Sequence, residues 1–314
     1  MTKAVIFSFI PAVENSMVAS THVARFVAKT LDLPLIWTEE IVEHRDLDVL
    51  IIVNGAFAFC KHLEPLSHAV RGAKRIVWIQ QDYTIVRPIN NGEATSPFRK
   101  SFVDRHIVGK PHLEFWTTCE KESKVTPLSR LINWNCLSMT EPKEMSTGSD
   151  VAYYGSFRAG RRLYFERYFK NPHCNITISA PNKKFQEIYK HPNLTHLGTA
   201  DDLTEWLHSQ GLGLYLEDRK SHSEYHSPPN RFYEMLSAGL PMVFQPEAGF
   251  TLRKAGYDPQ PYAVSTSLEL ARRLDEREKI SRVQRLAWTG KAIAEQKNLV
   301  SLVRAAWKAL EEKL

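Results

Sequence analysis

Residues 154–162, YGSFRAGRR, follow the apolar stretch DVAY and put a small-residue turn, a serine and three arginines into nine positions. Where a strand hands over to a helix, unpaired backbone N–H groups and the helix dipole create a partly positive pocket. Gly155 and Ser156 stand just past the apolar run, and Gly160 stands near the start of the next helical pattern. Arg158 and Arg162 are four residues apart, and each carries a rigid guanidinium fork matched to phosphate oxygens. The stretch is not a Walker loop, because no lysine follows a glycine run at the required spacing, and its glycines do not fit GxGxxG. The competing reading is a solvated basic helix start whose arginines pair with neighbouring acids.

A second cluster lies at 228–247, PPNRFYEMLSAGLPMVFQPE. Pro229 precedes a helix whose first turn carries Asn230 and Arg231, with Glu234 one turn later on the same face. Gly239 supplies a C-cap and Pro241 blocks continuation. A carboxylate there can accept both hydroxyls of a ribose while the arginine reaches phosphate; a structural Arg231–Glu234 pair is the alternative. Two such clusters in one half of the chain fit one nucleoside diphosphate, with the arginine turn on the pyrophosphate and Glu234 on the sugar. A third candidate is Asp82 in IVWIQQDYT (76–84), an acid just past an apolar run, where a carboxylate faces a ligand or caps a turn. His22 reads as a packed or capping residue, and HSEYH (222–226) as a polar loop rather than a metal site.

These residues need elements to position them. In the first half, strands are expected at 3–9, 48–55, 74–80 and 113–119, with helices at 16–31 and 60–70. Continuous apolar strands alternating with helices indicate parallel sheets covered on both faces. The long connection 81–110 has the length of a binding loop or lid. Apolar character lapses at TEPKEMSTGS, a linker between 139 and 150. Strands follow at 150–155, 175–180, 195–198, 211–217 and 240–245, helices at 161–170, 202–210 and 230–239, and a mainly helical end at 267–314 containing Trp288 and Trp307. The expected fold class is α/β, with two Rossmann-like αβα domains facing a central cleft. The first spans 1–140 and takes the acceptor; the second spans 150–314 and takes the nucleotide, with the last helices free to pack back on the first. Ligands in such sheets bind beyond the carboxyl ends of the strands.

The chain has 314 residues, a hydrophobic fraction of 43% and a charged fraction of 24%. Lys and Arg number 41 against 35 Asp and Glu, a formal charge of +6 that favours a polyanionic partner. No apolar run reaches the roughly 18 residues of a membrane span. Cys60, Cys119, Cys136 and Cys174 have no metal or redox spacing and read as reduced thiols, so a cytoplasmic location is expected.

VAYYGSFRAGRR (151–162), NRFYEMLSAGLPMVF (230–244) and IVWIQQDYT resemble the DNA β-glucosyltransferases of T-even bacteriophages, a GT-B fold family. The resemblance implies an inverting enzyme that moves glucose from UDP-glucose to the hydroxymethyl group of 5-hydroxymethylcytosine in duplex DNA, assisted by a divalent cation such as Mg2+ or Mn2+. It implies that Ser156, Arg158 and Arg162 surround the diphosphate, that Arg231 completes the phosphate set, that Glu234 binds ribose and that Asp82 is the catalytic base. The family's sugar-contacting glutamate has Glu14 in PAVENS as its candidate. Tyr83, Arg87, Arg99, Lys100 and Arg105 are the DNA-binding candidates, with Phe98 and Phe102 available to fill space beside an extruded base. A basic lid over a small acceptor has the same composition. The expected partners are double-stranded DNA carrying a 5-hydroxymethylated pyrimidine and a nucleotide sugar, with no membrane and a monomeric state. Alternatives are a pentose such as arabinose as the sugar, a small molecule or glycan as the acceptor, and a non-catalytic DNA-binding protein. Asp82 and Glu234 argue against the last, because a polyanion binder gains nothing from acids in its basic pockets.

Overall fold

Runs such as AVIFS and VLIIV offer no polar face, so each can be satisfied only as an interior strand of a sheet covered on both sides. The computed structural model, which describes residues 2–8, 19–36, 40–44, 46–53, 63–80, 113–120, 122–124, 129–181, 183–218 and 225–314, forms two such sheets. The first contains β1 (Ala4–Ser8), β2 (Leu35–Ile36), β3 (Val49–Val53), β4 (Arg75–Gln80), β5 (Leu113–Thr117) and β6 (Arg130–Leu131) in the order β2-β1-β3-β4-β5-β6. All its pairings are parallel, with Ile6 opposite Ile51, Ile51 opposite Val77 and Ile79 opposite Trp116. Helices α1 (Ala19–Leu31) and α2 (Leu63–Gly72) accompany it. Its core joins Phe7, Leu50, Ile52, Trp78 and Phe115, the last two rings 5.9 Å apart.

The second sheet holds β7 (Val151–Tyr154), β8 (Ile176–Ser179), β9 (Leu194–Leu197), β10 (Leu212–Tyr215) and β11 (Met242–Phe244), all parallel, in the order β11-β10-β7-β8-β9. Its helices are α3 (Arg162–Phe169), α4 (Lys184–Ile188), α5 (Leu203–His208), α6 (Asn230–Ser237), α7 (Gly249–Lys254), α8 (Ser267–Asp275) and α9 (Arg277–Gln284), and a π-helical turn at Arg285–Thr289 leads into α10 (Gly290–Glu311). Tyr153, Phe165, Phe169 and Phe185 form a buried aromatic centre with ring separations of 4.9–6.0 Å. Each such side chain contributes about 1.5–3 kcal/mol through burial.

Residues 1–137 and 296–314 form one compact unit and 138–295 the other. The second domain was expected at 150–314 with its last helices free to pack back on the first; residues 296–314 group with the first unit, where Arg75 Nη2 donates to the Lys313 carbonyl at 2.6 Å and the Arg304 guanidinium reaches the Thr30 carbonyl at 3.4 Å. The two-residue strands β2 and β6 and the short helices α4 and α7 were not anticipated, since such brief segments carry no readable period. His22 is exposed on α1 rather than packed. Among the described residues, no helix is long and apolar enough to cross a membrane.

Helix α6 ends as its sequence predicts. Gly239 has φ +69°, and its N–H donates to the Leu236 carbonyl at 3.1 Å while the Leu240 N–H donates to the Met235 carbonyl at 3.0 Å. That pair of bonds is a Schellman motif. The segment read as a linker is strapped across this end: Lys143 N–H donates to the Ser237 carbonyl at 2.8 Å and Ser146 N–H to the Gly239 carbonyl at 3.1 Å. A Cβ on Gly239 would collide with the Glu144 carbonyl oxygen. Gly239→Ala is therefore expected to lower the unfolding free energy by at least about 1–2 kcal/mol, the cost of a left-handed conformation in an L-residue. Urea denaturation checks this, and unchanged stability would remove the strap from the account.

Candidate functional site

The second sheet changes direction between β7 and β10. From β7 the chain winds outward through β8 and β9, then returns to lay β10 on the other side of β7. The loops leaving the carboxyl ends of these adjacent strands diverge, which opens a crevice at the topological switch point. Both sequence clusters meet there.

β7 ends at Tyr154, and Gly155 then adopts φ +127° with its N–H donating to the Ser179 carbonyl at 3.0 Å. A Cβ on Gly155 would sit 3.2 Å from Arg231 Nη1, so the glycine serves the turn and leaves room for the arginine. Exposed Ser156 and the extended residue Arg158 follow, then a short 3-10 turn, Ala159–Arg161, and helix α3. β10 continues into Leu216, Glu217 and Asp218, all buried. The fully buried Gln245, just after β11, fixes this segment: its Nε2 donates to the Glu217 carbonyl at 2.9 Å, and its Oε1 accepts from the Glu217 N–H at 3.2 Å.

Glu217 is the hub. Arg161, only 2% exposed, places Nη2 3.0 Å from Glu217 Oε2 and Nε 3.4 Å from Asp218 Oδ2. Arg231 Nη2 pairs with the other Glu217 oxygen, Oε1, and Arg231 Nη1 donates to the Tyr154 carbonyl at 3.2 Å. Burial alone would weaken the hold of Arg231 on its proton; the Glu217 charge overcomes this and raises its pKa above the ordinary guanidinium value. Arg158 Nη1 lies 3.7 Å from Asp218 Oδ2 and Arg162 Nε 2.9 Å from Glu166 Oε1, and these two arginines are 54% and 64% exposed. The turn thus holds arginines of two kinds, one locked in the interior and two at the surface.

Arg231 and Glu234 share α6 but take different partners, against the pairing that their spacing allows. Glu234 Oε2 accepts from the Tyr154 hydroxyl at 2.5 Å. Burial first, then the Glu234 charge, push the Tyr154 hydroxyl well above its usual pKa, so it remains a protonated donor.

The structure therefore brings Ser156, Arg158, Arg231 and Glu234 around the carboxyl ends of β7 and β10, with Arg162 one turn further along α3. Tyr154, Arg161, Glu217, Asp218 and Gln245 were missed. The acids could have been found by the rule that singled out Asp82, since LED at 216–218 ends an apolar run in the same way. β4 ends at Gln80, two positions before Asp82, but Asp82, Glu14, Tyr83, Arg87, Arg99, Lys100 and Arg105 lie outside the described residues. Among the described residues no group of three or more His, Cys, Asp or Glu could hold a metal ion. Glu217 and Asp218 are already committed to arginines, so the described acids do not fit a protein-held cation.

No family model and no curated protein sequence matches the chain. Among solved structures it is similar to the DNA-modifying enzyme β-glucosyltransferase, with a TM-score of 0.68 and 16% identity over 98% of this chain and 99% of that one. It is similar to T4 phage β-glucosyltransferase in complex with UDP-glucose, with a TM-score of 0.70 and 14% identity over 96% and 98% of the two chains. A protein from Anabaena, HepE, solved with UDP and glucose, matches with a TM-score of 0.58 and 11% identity over the whole of both chains. The chain has the fold of these proteins: two parallel, helix-flanked Rossmann-like sheets of the GT-B type.

Removing one partner from a buried ion network leaves the others uncompensated and costs about 3–5 kcal/mol, whereas exposed pairs contribute about 0–1 kcal/mol. Glu217→Gln is accordingly expected to destabilise the protein by the larger amount and Arg162→Ala by the smaller. Urea unfolding of the two variants measures both, and equal losses would contradict the hub.

Proposed function

We propose that this chain is an inverting glycosyltransferase that transfers glucose from UDP-glucose to the hydroxymethyl group of 5-hydroxymethylcytosine in duplex DNA. The observation that carries the reading is the meeting of the arginine turn with Arg231 and Glu234 at the switch point of the second sheet. Its support from elsewhere is the likeness to a DNA-modifying β-glucosyltransferase and to a T4 phage enzyme whose substrate is UDP-glucose.

Arg158 and Arg162 leave weak surface pairs with Asp218 and Glu166 to meet the diphosphate, an exchange that forfeits little because such pairs contribute little. Arg231, held by Glu217, presents a guanidinium whose position needs no reorganisation. Ser156 adds a hydroxyl, and Glu234 accepts from the ribose. The acceptor hydroxymethyl oxygen attacks the anomeric carbon as the bond to the UDP oxygen breaks, and Asp82 takes the hydroxyl proton. The leaving diphosphate carries away the bonding electrons, and the arginines stabilise its growing charge. A divalent cation such as Mg2+ or Mn2+ would supply further charge neutralisation if carried in on the diphosphate, since the described acids do not hold one; a T4 phage enzyme of this fold has been solved with UDP and Mn2+. Glu14 is assigned to the transferred sugar. Tyr83, Arg87, Arg99, Lys100 and Arg105 are assigned to the DNA, and the protein acts as a cytoplasmic monomer.

Incubation of the protein with a panel of UDP-sugars and duplexes with and without 5-hydroxymethylcytosine tests the reading by nucleoside mass spectrometry. A hexose adduct on the modified duplex alone is expected; a pentose adduct would change the sugar, and no adduct with any donor would remove DNA as the acceptor. Binding to the two duplexes should be similar and salt-sensitive, because basic side chains contact phosphate rather than the modification. Asp82→Asn should preserve UDP affinity and lower turnover by at least about 100-fold, the scale of a lost general base. Turnover close to wild type would move the base elsewhere.

A further inference from the structure

Tyr154 stands at the centre of the candidate site, yet the phosphate and ribose assignments leave it without a role. It is the last residue of β7, 8% exposed, with its ring edge-on to Trp206 at 6.3 Å and an interplanar angle of 79°. Its carbonyl accepts from Arg231 Nη1 at 3.2 Å. Strand, indole and guanidinium together fix where the phenol points. Its hydroxyl lies 2.5 Å from Glu234 Oε2 and 3.3 Å from the Arg231 carbonyl, and it has one proton to give. The nearer, charged acceptor takes it, because hydrogen bonds to ionised groups are shorter and stronger. The terminal torsion of a glutamate is otherwise broad and nearly two-fold. A hydrogen bond to one carboxylate oxygen sets that torsion and decides which oxygen is turned toward a ligand.

We propose that Tyr154 is a positioning residue that aims Glu234 at a ribose hydroxyl and so gives the site its preference for ribonucleotide over deoxyribonucleotide diphosphates. The inference rests on the nucleotide-donor reading of this site. Tyr154 touches Glu234 rather than the ligand: its hydroxyl holds Oε2 and so sets the plane in which the carboxylate meets the sugar. The arginines sense only the diphosphate, so discrimination at the ribose depends on Glu234 and on whatever holds Glu234 still.

The experiment titrates UDP, 2′-deoxy-UDP, 3′-deoxy-UDP and inorganic pyrophosphate by calorimetry against wild type, Tyr154→Phe, Glu234→Gln and the double variant. Wild type should bind UDP about tenfold or more tightly than at least one deoxy analogue, the scale of a hydrogen bond to a charged group. Tyr154→Phe, which keeps the ring packing, should reduce that ratio by about threefold or more, with pyrophosphate affinity unchanged. The double variant should show the ratio of Glu234→Gln alone, since the tyrosine acts through the glutamate. A wild-type ratio in Tyr154→Phe would overturn the inference, and so would a matching loss of pyrophosphate binding, which marks a merely structural role. If wild type binds UDP and both deoxy analogues equally, the inference fails while the donor reading stands. If wild type binds no UDP, the donor reading itself fails and takes the inference with it.

Discussion

A carboxylate buried among apolar side chains is tolerable only if its charge is matched at hydrogen-bonding distance. Glu217 meets that constraint twice, with Arg161 on one oxygen and Arg231 on the other, and the rest of the second unit is arranged so that it can. Its backbone is clasped by Gln245 from the neighbouring strand end, which holds the acid at the mouth of the sheet. Arg161 must come from the turn after β7 and Arg231 from the first turn of α6, so one acid ties three separate segments together. Gly155 is part of the same arrangement, because a larger residue would crowd the Arg231 guanidinium. The site exists where it does because β7 and β10 are neighbours whose chains depart in opposite directions.

The network also sorts the arginines. Arg158, Arg161 and Arg231 pair with Glu217 and Asp218, and Glu234 accepts from Tyr154, so three cations stand with three acids and the group carries no large excess charge. Buried members of such a group cannot move without exposing a partner, whereas Arg158 can leave Asp218 at little cost because Arg161 still covers that acid. Buried and exposed cations in one turn suit different tasks: on the proposed reading, the buried one fixes the shape of the pocket and the exposed ones meet the anion.

Much of this was legible in the sequence. The regular β-α alternation was readable because strands such as Val49–Val53 and Leu212–Tyr215 are buried at every position. The stop of α6 at Gly239 was readable because a left-handed cap needs glycine, and the glycine turn that leads β7 into a basic helix start was readable from the residue types of YGSFRAGRR. Partner choice was not readable. Spacing placed Arg231 beside Glu234, yet Arg231 pairs with Glu217 at the end of β10, and Glu234 with Tyr154, 80 residues away on β7 and brought alongside only because the chain returns from β9 to lay β10 beside β7. Arg161 looked like one basic residue among three, and only burial distinguishes it. The unit that the far end of α10 would join was left open for a related reason: a helix carries no mark in its own sequence of the unit against which it will pack.

The strap of residues 143–146 across the C-terminal end of α6 bears on how a ligand's binding energy is used. Helix ends ordinarily fray, and a frayed helix must be ordered by whatever binds it, which subtracts from affinity. In α6 the last carbonyls are occupied by the Schellman bonds and by Lys143, and the first turn is moored through Arg231. Both ends of the helix are therefore held by the protein itself. On the nucleotide-donor reading, a ligand that docks on its first turn meets a preformed surface, so its contacts can be expressed as affinity and orientation rather than absorbed in restraining the backbone.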